Sequence, residues 1–104
     1  MKKTLLLLCA LVCMGTMTAQ EKTKIACVGN SITYGAGIKD RNESYPAVLN
    51  RLLDANKYEV RNFGVSARTL LSKGDHPYIN EQAYRDAKAF NPDIVTIKLG
   101  TNDT

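Results

Sequence analysis

Lys24-Ile25-Ala26-Cys27-Val28-Gly29-Asn30-Ser31-Ile32-Thr33-Tyr34-Gly35 decides the fold. A short apolar run, Lys24 to Val28, predicts a strand that ends at Gly29 and passes at once into a polar turn. Two further runs follow the same plan. Tyr58 to Phe63 ends at Gly64, and Ile94 to Leu99, β-branched through its first four positions, follows the turn Asn91-Pro92-Asp93 and ends at Gly100. Between the first two runs, Tyr45, Val48, Leu49, Leu52 and Leu53 recur at spacings of three and four, which predicts a helix laying that face on the sheet, with Pro46 in its first turn. A second helix is expected after Asn80 as cap, carrying Ala83, Tyr84, Ala87 and Phe90 inward until Asn91-Pro92 stops it. A shorter helical turn is expected from Ala67 to Ser72, capped by Ser66 and stopped by Gly74. Strands alternating with helices define an α/β fold, and right-handed crossovers make about three strands parallel.

The ends and the charge set limits on function. Met1-Lys2-Lys3, the apolar run Leu5 to Val12 and the small residue Ala19 form the pattern of a signal peptide over residues 1–19, which implies export to the periplasm or the extracellular space. That run is shorter than the ~20 residues of a spanning helix, so no lasting membrane span is expected. Leu8 before Cys9 and Val12 before Cys13 do not fit a lipoprotein anchor. Residues 20–104 then form the folded portion. The formal charge of +4 falls to +2 without Lys2 and Lys3, and the remaining basic residues are scattered, which speaks against a nucleic-acid partner. Cys27 alone stays in the mature segment, so it has no partner for an internal disulfide and is expected as a small buried hydrophobe.

In open parallel sheets ligands bind beyond the carboxyl ends of the strands. Each of the three strand ends carries a distinctive cluster: Gly29-Asn30-Ser31-Ile32-Thr33, Gly64-Val65-Ser66, and Gly100-Thr101-Asn102-Asp103. Acyl transfer needs an exposed hydroxyl, a base, and donors aimed at the oxygen that becomes negative. Ser31 is the candidate hydroxyl, at a strand-to-helix turn where N–H groups are free to face an anion. Gly64 is expected to offer a second N–H with no side chain in the way, and Asn102 an amide donor. His76, between Gly74-Asp75 and Pro77, reads as a loop histidine. Asp103 reads as a loop brace, and Ser66 as a cap.

With these residues in place the chain resembles the SGNH hydrolases, the GDSL-type lipases and esterases. Gly29-Asn30-Ser31-Ile32-Thr33 is similar to the first block of that family, Gly64 to the glycine of the second, and Gly100-Thr101-Asn102-Asp103 to the third. The resemblance implies a flavodoxin-like three-layer fold and ester hydrolysis through an acyl-enzyme on Ser31, without metal or cofactor. Gly64 and Asn102 would complete the oxyanion hole with the Ser31 N–H. Asn30 stands where the family pattern has aspartate. The last block, an aspartate three residues before the catalytic histidine, is absent, so the chain is expected to be an amino-terminal portion with little activity of its own. Its third strand is expected as an exposed edge, prone to association. The family range includes acetylated sugars, lipids and thioesters, and export favours O-acetyl groups on carbohydrates, with Tyr34 and Tyr45 as candidate sugar platforms. Two other readings stay open. A phosphate- or flavin-binding flavodoxin-like module would use the first glycine loop, although Gly35-Ala36-Gly37 completes no dinucleotide fingerprint. A non-catalytic carbohydrate-binding relative would bind sugar independently of Ser31.

Overall fold

A computed structural model describes residues 21–103; the expected signal peptide, residues 1–19, lies outside them. Three parallel strands, β1 (Thr23–Gly29), β2 (Tyr58–Gly64) and β3 (Ile94–Lys98), form one sheet in the order β2-β1-β3. Register places Gly29 beside Gly64 on one side and beside Lys98 on the other, so the strands end in line. The chain leaves β1 in the middle, turns to β2 at one edge and returns to β3 at the other. The topological switch point therefore falls beyond the end of β1, between it and β3.

The helices are short: α1 (Ser31–Tyr34), α2 (Tyr45–Leu52) and α3 (Gln82–Ala89), with 3-10 turns at Arg41–Glu43, Tyr78–Asn80 and Thr101–Asp103. Strand alternation sorts them into layers. Val28 meets Tyr78 and Ala87 with Phe63, Ala83 and Tyr84 around them, which is the α3 side. On the opposite face the Tyr45 hydroxyl of α2 meets Thr96 Oγ1 at 2.9 Å. The result is an α/β/α arrangement with the central strand most protected. Ile25, Ala26, Cys27 and Val28 are all buried, and Cys27 is a free thiol. The β3 flank is barely covered: Ile94, Val95 and Ile97 stay exposed. An apolar groove of about 400 Å³ runs there between α3 and β3.

Three expectations change. Leu52 is 77 % exposed and Tyr45 is also exposed, so the apolar stripe of α2 is wider than the surface it covers; Pro46 is its one buried residue. Glu81, not Asn80, precedes α3, because Tyr78–Asn80 already turns as a 3-10 element. Residues 67–72 form no helix. Ala67 takes a left-handed φ of 64°, and Thr69 bridges to Pro77, with its N–H bonded to the His76 carbonyl at 2.9 Å. Among the described residues no helix is long and apolar enough to cross a membrane.

Candidate active site

Ser31 opens α1 directly beyond β1. Asn30 is the cap: buried, with Oδ1 accepting the Ile32 N–H at 3.3 Å. Gly35 ends the helix with a φ of 96°, its N–H bonded to the Ser31 carbonyl at 2.9 Å. Neither the Ser31 hydroxyl nor its N–H meets a hydrogen-bond partner among the described residues. Both groups are thus free for a ligand, and the side chain is only half-buried.

Two glycines fix where this turn sits. At Gly29 a Cβ would collide with Thr33 Oγ1 and lie 2.8 Å from the Lys98 carbonyl oxygen. At Gly64 a Cβ would collide with the Tyr34 backbone nitrogen and lie 2.8 Å from the Thr33 carbonyl carbon. The end of β2 therefore presses against the backbone of α1, an approach that no residue with a side chain permits. Asn62 locks the contact. Its Nδ2 donates to the Thr33 carbonyl at 2.8 Å and its Oδ1 accepts the Gly64 N–H at 2.8 Å. The Gly64 N–H, expected to be free, is spent on this bond.

Beyond β2 and β3 the two loops are sewn to each other and to the first. Val65 donates to the Gly29 carbonyl at 3.0 Å, and Asn30 to the Lys98 carbonyl at 3.1 Å. Asn102 Nδ2 donates to the Arg68 carbonyl at 3.0 Å. Asp103 accepts the Leu70 N–H at 2.9 Å and the Leu71 N–H at 2.8 Å, one on each carboxylate oxygen. Asp103 is thus a brace, while Asn102 keeps one of its two N–H donors uncommitted among the described residues. Arg68 is itself tied to Glu81 at 2.8 Å and to the Ser66 carbonyl at 2.9 Å. Ser66 caps no helix. His76 is exposed, on the loop whose carbonyl meets Thr69.

The tyrosines are partly occupied. The Arg41 guanidinium lies 4.0 Å from the Tyr34 ring centroid and donates to the Tyr34 carbonyl, which covers one ring face. Tyr45 holds Thr96 through its hydroxyl, and burial pushes its phenol above the ordinary value. Sequence reasoning missed Asn62, although an asparagine two residues before a glycine is a familiar side-chain-to-backbone turn. Asn30, Asp40 and Asp54 make the same bond to the N–H two residues on.

The central strand thus runs into a serine whose hydroxyl has no hydrogen-bond partner among the described residues, and Asn102 lies on the loop beyond the neighbouring strand, across the switch point. The chain is a member of the GDSL-like lipase/acylhydrolase family, whose profile matches residues 27–104. It is 57 % identical over 86 residues to the acetylxylan esterase of Xylanibacter ruminicola, a match covering 82 % of this chain and 18 % of that protein. It also superposes on a solved structure of the esterase AlinE4 carrying the substitution D162A, with a TM-score of 0.62 and 29 % identity, over 81 % of this chain and 43 % of that one. The chain thus spans less than half the length of either relative.

Proposed function

We propose that this chain carries the nucleophile and oxyanion side of an exported serine esterase acting on O-acetyl groups of carbohydrates. The observation that carries the reading is the free Ser31 hydroxyl and N–H at the switch point, with the Asn102 loop tied to the loop that begins at Gly64. The Ser31 oxygen attacks the acetyl carbonyl; the sugar oxygen leaves with a proton, and water then releases acetate from the acyl-enzyme. Backbone N–H groups and the Asn102 amide hold the oxygen that becomes negative. One such donor is worth about 3 to 4 kcal/mol of transition-state stabilisation. The relative named an acetylxylan esterase supports the acetyl group and the carbohydrate, and the leader pattern supports export.

The base is not assigned to these residues. His76, the one histidine in the sequence, sits in a turn whose hydrogen bonds go to the Thr69 strand bridge. A serine hydroxyl without a base is a poor nucleophile at neutral pH, so the 104-residue chain alone is expected to hydrolyse p-nitrophenyl acetate barely above background. Spliced in place of the matching segment of the X. ruminicola enzyme, it is expected to release acetate from acetylated xylan, and Ser31→Ala to lower that rate at least ~10³-fold. A spliced Ser31→Ala protein within tenfold of its parent contradicts the reading.

A further inference from the structure

We propose that the Arg68–Glu81 ion pair is a positioning device for the acyl-transfer site: it ties the amide of Asn102 to the start of α3, and Arg68 acts on the reaction only through that amide. This rests on the esterase reading above. Among the described residues three ion pairs occur, and this one differs from the others in place and in burial. Glu43–Arg51 and Glu59–Arg61 lie at the surface, with side chains between 36 and 61 % exposed, where such pairs contribute little. Arg68 and Glu81 are 26 % and 29 % exposed, and they join the loop after β2 to the residue that precedes α3.

Glu81 occupies the cap position of α3, yet its carboxylate accepts no N–H of that helix; it is committed to Arg68 Nε at 2.8 Å. The backbone on which it stands is anchored. Glu81 donates its N–H to the Tyr78 carbonyl at 3.0 Å, and Tyr78 is buried in the core. From this anchor the guanidinium reaches back, with Nη1 donating to the Ser66 carbonyl at 2.9 Å. That second bond closes over Ala67, whose φ of 64° is a conformation that residues with a side chain rarely adopt and that surrounding contacts must hold. The fork of Arg68 therefore fixes the turn that presents its own carbonyl, and that carbonyl accepts Asn102 Nδ2 at 3.0 Å from the loop after β3. Without the guanidinium, the acceptor that orients the Asn102 amide loses its tie to α3, while Ser31, fixed by packing on the other flank, stays where it is.

The test is a double-mutant cycle in the spliced esterase, read as kcat and KM for acetate release. Asn102→Ala is expected to lower kcat about 10²-fold or more. Arg68→Met is expected to lower kcat about tenfold or more with KM within about threefold, since it misplaces a donor that acts in the transition state. In the Asn102→Ala background the same substitution should change kcat less than about twofold, because the group through which Arg68 acts is already gone. Glu81→Ala strips no cap bond from α3; it should repeat the pattern at smaller amplitude, and it decides the matter alone if Arg68→Met does not fold. An effect of equal size with and without Asn102 overturns the inference, as does a rise in KM at constant kcat or an unchanged kcat in both variants. In each of these cases Ser31-dependent acetate release leaves the esterase reading standing. Acetate release that survives Ser31→Ala brings down that reading, and the inference with it.

Discussion

The two flanks of the site are held by different physics. On the β1–β2 flank the Ser31 turn is fixed by close packing, with Gly29 and Gly64 pressed into backbone and Cys27, Asn30 and Thr33 fully buried. On the β2–β3 flank the loops around Asn102 are exposed and held by side-chain hydrogen bonds, chiefly those of Asp103 to Leu70 and Leu71. Packing tolerates no added atom, whereas a hydrogen-bonded pin is removed by one substitution and leaves the fold standing. Ser31 is thus placed by sterics, and the loop that carries Asn102 is placed by polar contacts.

Gly64→Ala should break the packed flank hardest. The new methyl has only backbone to push against, and a loss of about 3 kcal/mol or more is expected in the urea midpoint. A loss below about 1 kcal/mol would mean the flank is looser than described. Tyr78 probes the same flank by pH. Its hydroxyl donates to the Phe63 carbonyl, and burial, with Asp86 and Glu81 adding to it, pushes the phenol up to about 12 from its ordinary 10.0. The raised value means that this contribution, roughly 2 kcal/mol, is fully present below pH 10 and is lost as the pH climbs from 10 through 12. Tyr78→Phe should flatten that part of the stability profile.

The pinned flank should respond less in stability and more in local motion. Asp103→Ala is expected to cost about 1 to 2 kcal/mol and to speed amide exchange at Leu70 and Leu71 while Gly64 keeps its protection. Exchange that accelerates on both flanks alike would erase the distinction. Ala67→Gly should have the smallest effect, within about 1 kcal/mol of the parent, since relief of the positive φ offsets the added chain entropy of glycine. A clear destabilisation would show that the Ala67 methyl has a packing role.

The same contrast explains what the sequence disclosed. The strands were legible because Ile94-Val95-Thr96-Ile97 and its counterparts combine β-branched composition with a terminal glycine, and strand ends in register bring their loops to one edge whatever the side chains do. The positions of Ser31 and Asn102 just beyond the ends of β1 and β3 followed from that placement. The loop after Gly64 was not legible as a helix or otherwise, because its path is set by long-range bonds from Asn102 and Asp103, more than 30 residues away in sequence. Gly64 was misjudged as a free donor because glycine serves both close packing and open N–H presentation, and only its neighbours decide which. Asn62, two residues upstream, was the available signal. The exposed β3 edge was foreseen, while the exposure of Leu52 was not, since helical periodicity shows which residues share a face and not whether anything covers it.

The esterase proposal makes the hydroxyl on the first strand-end turn, that of Ser31, the reacting group. Fluorophosphonate labelling of the spliced esterase, followed by peptide mass mapping, tests it most directly. The expected result is a phosphonyl adduct on Ser31 that accumulates in step with the loss of acetate release. Complete inactivation with an unmodified Ser31, or undiminished acetate release from a fully labelled Ser31, would contradict it.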